Sequence, residues 1–135
     1  METLTKNPNI ENRITPYSDE ELEYFRGIIL RKRKDAVNQM EMFKRSLRES
    51  VENESDESVY SFHMADAGTD VMDRERNYLM YYRTRKFINY LDAAIKRIDN
   101  GTYGVCKVTG KKIAKERLEA VPHTQLCIEA KLRRR

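Results

Sequence analysis

The chain has 135 residues, 36% charged and 39% hydrophobic, with a net charge of +4 and no Trp. This is enough for one domain with a helical extension, and the composition suits long solvated helices better than a thick globular core. The sequence has no apolar run long enough to span a bilayer and no leader-like segment, so a soluble cytoplasmic protein is expected, its two cysteines reading as thiols or metal ligands rather than a disulfide.

Residues 1–16 are polar, carry Pro8 and Pro16 and show no periodicity, which predicts a flexible N-terminal arm. Ser18-Asp19-Glu20-Glu21 then forms a capping box, in which the Ser18 hydroxyl meets the Glu21 amide and Glu21 reaches back. Leu22, Phe25, Ile29, Ala36, Met40, Phe43 and Leu47 follow at helical spacing, interrupted at Lys32, and the pattern decays near Ser50. The polar stretch ESVENESDESVYSF, residues 49–62, reads as a connection or a frayed end. A second periodic segment starts at about Asp66 or Thr69. Tyr81, Ile88, Leu91, Ile95 and Ile98 form its stripe, Met80, Phe87 and Ala94 broaden it, and Asn100-Gly101 stops it. Either helix would span roughly 45 Å at about 1.5 Å per residue.

Two long amphipathic helices with a short polar link predict an antiparallel coiled-coil hairpin over residues 17–100, favoured over helices that each pack on a partner chain. Tyr78, Tyr81 and Tyr82 are read as hairpin packing rather than a stacking platform. Residues 101–135 form a small base with turns at Gly101, Gly104, Gly110 and Pro122 and a short C-terminal helix or basic tail, where Thr124 is placed as a cap. Its core is expected to hold Tyr103, Val105, Val108, Ile113, Leu118, Val121, Leu126 and Ile128. The fold class is therefore mainly α.

Charge divides along the chain. Residues 49–75 hold nine acids against Arg74 alone, whereas residues 101–135 hold nine bases against three acids. An acidic tip at about 49–73 and a basic base imply two different neighbours. The chain carries no nucleophile–base pairing, phosphate loop or carboxylate dyad, so an enzyme is not expected. The basic tail from Lys131 to Arg135 has no aromatic interleaving, which argues against specific DNA recognition. These features alone also suit a coiled-coil interaction adaptor or a non-specific nucleic-acid-binding module.

The stretch DNGTYGVCKVTGKKIAKERLEAVPHTQLCIEAK, residues 99–131, resembles the C-terminal knuckle of the DksA/TraR family of RNA polymerase-binding regulators. Tyr103, Gly104, Cys106, Gly110, Ile113, Arg117, Leu118, Glu119, Ala120, Pro122, Leu126, Cys127 and Ile128 keep the family's spacing. Tyr17, Glu20, Leu22 and Phe25 extend the likeness to roughly residues 17–131. The resemblance implies a coiled-coil hairpin on a knuckle base, acting on the polymerase through its secondary channel, as a monomer and without catalysis.

In four-cysteine members the zinc ligands correspond to Cys106, Thr109, Cys127 and Ala130, so this knuckle is degenerate. The reading is a base without a cofactor, with Cys106, Cys127 and His123 the candidate ligands were a metal bound, since a structural zinc takes four N or S donors. The family's tip motif, Asp-x-x-Asp-x-Ala, has two registers here. One sets His63, Asp66 and Gly68 on it, the other Asp70, Asp73 and Glu75. A further family text, Ala-Asp-x-Gly-Thr-(Asp/Glu), resembles residues 65–70 and favours Asp66 and Asp70 as effector carboxylates, with Asp73 in reserve. The resemblance also implies an alarmone (ppGpp) site, carried over onto Arg83, Phe87 and Lys131, with Tyr90 where a basic residue is expected.

Overall fold

In the computed structural model residues 13–54 and 64–134 are described, together with the side chains of 13–49 and 71–134. Four helices follow in order: α1 (Asp19–Glu54), α2 (Met64–Asn100), α3 (Lys115–Ala120) and α4 (Ile128–Arg133). The two long helices pack as a hairpin, and the only β pairing among the described residues is a single bridge, Val105 with Lys112. The fold is mainly α, as the periodicity predicts.

The capping box forms. The Ser18 amide donates to Glu21 Oε1 at 3.0 Å and the Glu21 amide to Ser18 Oγ at 3.2 Å, which satisfies two of the amides that a helix start leaves open. The α1 helix runs on to Glu54, past the decay of its apolar pattern at Ser50, and α2 begins at Met64, slightly ahead of the expected start. It stops where Asn100-Gly101 requires. Gly101 takes φ of 76°, and the Thr102 amide returns to the Arg97 carbonyl at 2.9 Å.

The chain divides into two compact units. The first joins the described residues up to Arg33 with those from Asn89 on. Here Phe25, Ile29, Leu91 and Ala94 are wholly buried and Ile98 nearly so. The Phe25 ring sits among aromatic neighbours, 5.3 Å from Tyr17 edge-on and 5.5 Å from Tyr103. Arg26 pairs with Asp99 across the seam, and Arg33 Nε lies 2.6 Å from Asp92 Oδ1. One residue number rises as its partner's falls, so the helices are antiparallel. The second unit runs from Lys34 to Ile88. Ala36, Leu47, Thr84 and Ile88 are buried there, and Asn77 Nδ2 donates to Ser46 Oγ at 2.8 Å.

Three local expectations change. Residues 13–16, at the end of the stretch read as an arm, are tied to the base, the Ile14 and Thr15 amides both donating to the Gly101 carbonyl at 2.9 Å. In the base core Tyr103, Ile113 and Leu118 are buried, but Val108 and Ile128 are exposed, because Val108 lies on a turn and Ile128 opens α4 facing outward. Two of the three tyrosines do not behave as hairpin packing. Tyr81 is half-buried, while Tyr78 and Tyr82 stand exposed on the side of α2 away from the seam.

Candidate functional site

The base is wound around Tyr103, whose ring is fully buried and whose hydroxyl donates to the Pro122 carbonyl at 2.7 Å. Burial holds this phenol far above its usual range. The Tyr17 ring crosses Gly104, and its hydroxyl donates to the Ile113 carbonyl. Two limbs then meet. The turn from Cys106 to Lys111 is closed by Cys106 N to Lys111 O at 2.8 Å and by Gly110 N to Cys106 O at 2.8 Å. Lys107 N donates to Gln125 O at 2.9 Å and joins that turn to the segment before α4.

This closure brings the two cysteines into one neighbourhood. Cys106 is buried, its sulfur 3.5 Å from the Thr109 amide, and the Thr109 hydroxyl lies 3.7 Å from Cys127 Sγ. Burial alone would push the Cys106 thiol up. Hydrogen bonds from the Thr109 side chain and from the amides of Cys127, Thr109 and Val108 outweigh it and bring the thiol down to about 6. Thr109 thus touches both sulfurs. His123 is elsewhere, its ring stacked parallel on Tyr90 with centroids 5.7 Å apart. Burial and the neighbouring charges of Arg97 and Lys32 keep His123 below its ordinary value.

Beside that stack opens a cavity of about 440 Å³, lined by Tyr90, His123, Lys107, Arg117, Lys131 and Arg134 together with Val121, Thr124, Gln125 and Leu126. Arg117 braces its wall, donating from Nε to Leu126 O at 2.7 Å and from Nη2 to Thr124 Oγ1 at 3.3 Å. Thr124 therefore does not cap α4, which has Cys127 at its N-cap position and no side-chain cap. Four basic residues around a half-open pocket favour an anionic occupant. Sequence reading named only Lys131 among them as a phosphate contact. Arg117 lay inside the Arg-Leu-Glu-Ala text, and nothing local marks it as facing a pocket.

The remaining predicted residues fall as follows. Asp66 and Asp70 lie early in α2 and their side chains are outside the described residues; Asp73 is exposed on the same helix. Arg83 is exposed and Phe87 half-buried in the second unit, while Lys131 is exposed in the first.

A family model, the prokaryotic dksA/traR C4-type zinc finger, matches residues 101–134. The RNA polymerase-binding transcription factor DksA of Caulobacter vibrioides is 31% identical over 116 residues, which cover 86% of this chain and 77% of that one. The chain belongs to the DksA/TraR family. Among solved structures, transcription factor DksA2 from Pseudomonas aeruginosa superposes with a TM-score of 0.71 at 29% identity, covering 85% of this chain and 83% of that one. Two Bacillus subtilis relatives are longer. This chain spans 44% of YteA at 30% identity and 42% of general stress protein 16O at 43% identity.

Membership corrects the expectation of a knuckle without a cofactor. The match to a C4-type zinc finger over residues 101–134 points to zinc binding in this segment. Tested against the donors present, the four-thiolate set is only half there. Cys106 and Cys127 offer sulfur, Thr109 offers a hydroxyl, and the buried Ala130 offers nothing. Among the described residues no third His, Cys, Asp or Glu gathers with the two thiols, and His123 is committed to the Tyr90 stack.

Proposed function

We propose that this chain is a regulator of transcription that binds RNA polymerase through its secondary channel and modulates initiation. The observation that carries this reading is the 31% identity over 116 residues to a relative named RNA polymerase-binding transcription factor DksA. Relatives from Haemophilus influenzae and Salmonella typhimurium bear the same name. The α1–α2 hairpin supports it as the part that enters the polymerase, and residues 101–135 as the part that rests outside. It acts by contact and charge, not as an enzyme.

In this reading the acidic end of the hairpin is the effector. Asp66 and Asp70, with Asp73 behind them, bring carboxylates toward a Mg²⁺-centred site or a mobile loop, which a carboxylate perturbs by charge or by accepting hydrogen bonds from amides. Arg83, Phe87 and Lys131 are carried over from the family likeness as contacts for the alarmone ppGpp. Support comes from the cavity beside Lys131, whose rim adds Lys107, Arg117 and Arg134 to the cations available for phosphates.

Capture of core RNA polymerase by the purified chain, followed by transcription in vitro, tests the reading. Wild type binds the polymerase and changes promoter-complex lifetime. Asp66→Asn with Asp70→Asn keeps the binding and abolishes the effect. Failure to capture polymerase overturns the reading altogether, and equal loss of binding in the variant overturns the effector role of the tip.

A further inference from the structure

The α2 helix carries a face that its hairpin packing does not use. Val71, Tyr78, Leu79 and Tyr82 are 44–58% exposed and Met72 is 70% exposed, all within the second unit. Positions 71, 75, 78, 82, 85 and 86 recur at helical spacing and are all exposed, so they form one continuous outward stripe with Glu75 as its one acid. The rings of Tyr78 and Tyr82 lie nearly parallel, 16° apart with centroids 6.4 Å from each other, and Tyr81 meets Tyr82 edge-on at 5.5 Å. Tyr81 fixes the orientation of that stack from the side nearer the seam.

Bases outnumber acids around the rings. Residues 71–86 hold five bases, Arg74, Arg76, Arg83, Arg85 and Lys86, against Asp73 and Glu75. Arg85 and Lys86 are exposed one turn beyond Tyr82, and Arg74 stands one turn before Tyr78. An apolar protein partner is poorly matched to such a rim. A single-stranded nucleic acid is well matched, since its bases stack on exposed aromatic rings while its phosphates pair with flanking guanidinium and ammonium groups.

We propose that this outward face of α2, centred on Tyr78 and Tyr82 and flanked by Arg85 and Lys86, is a binding surface for single-stranded RNA. Two bases stack along the tyrosine pair and the strand's phosphates run beside Arg85 and Lys86. The phenol hydroxyls add donors and acceptors for 2′-hydroxyls, which DNA lacks. Only the choice of RNA over DNA leans on the polymerase reading; the surface itself stands on exposure, ring geometry and charge.

The test is fluorescence anisotropy of labelled oligouridylate with the full chain and no polymerase present. Tyr78→Ala with Tyr82→Ala weakens binding about tenfold or more, whereas Tyr78→Phe with Tyr82→Phe keeps most of it, because the rings remain. Arg85→Ala with Lys86→Ala lowers the slope of log affinity against log salt by about 1.4, the share of two single-strand phosphates. Several results overturn the proposal. They are an affinity unchanged by the alanine pair, equal binding of a duplex, tighter binding of oligothymidylate, or loss of binding only when Arg133 and Arg134 are replaced. If the alanine pair loses polymerase capture while keeping oligouridylate affinity, the face is a protein surface and the proposal falls. If polymerase capture fails but oligouridylate binds as described, the RNA surface stands without the polymerase reading.

Discussion

At Gly104 the backbone takes φ of 82°, and a Cβ there would lie 2.6 Å from two ring carbons of Tyr17. Gly110 has a similar φ of 73° but open space around it. Strain is common to both positions and the clash belongs to one. Gly110→Ala should therefore cost about 1 kcal/mol and Gly104→Ala about 2–4 kcal/mol, as read from urea unfolding midpoints at constant slope. His123 supplies a pH dependence. Burial and the nearby Arg97 and Lys32 depress its pKa below the 6.5 of an unperturbed imidazole. Below about pH 6.5 the unfolded chain then binds more protons than the folded one, so this group's share of stability is present above that pH and is lost on acidification. Thermal unfolding from pH 7.5 down to about pH 5 should show a shallower decline in His123→Gln than in wild type. Glu21 acts in the same direction at lower pH. The Ser18 amide holds its carboxylate below the ordinary value of 4.5, so the capping box opens as pH falls through that lowered range.

At the scale of the element, α1 illustrates how sequence periodicity becomes a seam. Its start is set by Ser18, and Ser18→Ala should cost about 1 kcal/mol. Its anchor is Phe25, wholly buried between Tyr17, Tyr103 and the facing helix. Phe25→Ala leaves a void bounded by two rings that are hydrogen-bonded in place and do not collapse into it. A loss of about 3–5 kcal/mol is expected by chemical denaturation. The Arg33–Asp92 pair across the same seam is roughly 40% exposed on both sides, so Asp92→Asn should change stability by under about 1 kcal/mol. Apolar burial, and not the ion pairs, holds the helices together. The capping box and the stripe from Leu22 to Leu47 were legible because both are local, written within one or two turns. The end of α1 at Glu54 was not, since helical hydrogen bonding propagates through polar residues once a stable helix precedes them.

For the whole molecule, charge divides along the sequence. Acids gather where α1 and α2 are joined in sequence and bases gather from residue 101 onward. If Lys131 contacts the alarmone, Lys131→Ala should blunt the ppGpp-dependent change in transcription in vitro while capture of polymerase persists, and an unchanged response would remove it from the site. The hairpin, its antiparallel sense, the helix stop at Gly101 and the family likeness were all determined by the sequence itself, because spacing, capping chemistry and turn residues act over a few positions. The number of cysteines was equally plain, yet counting donors pointed away from zinc where the family match points toward it. Tertiary structure alone decided the rest. The cavity forms only when the Lys107 turn returns to Gln125 and Arg117 reaches Leu126, contacts that no local pattern announces. Likewise α2 offers more large side chains than one seam can cover. Which of Tyr78, Tyr81 and Tyr82 face outward depends on where the partner helix lies, and that is fixed by packing rather than by spacing.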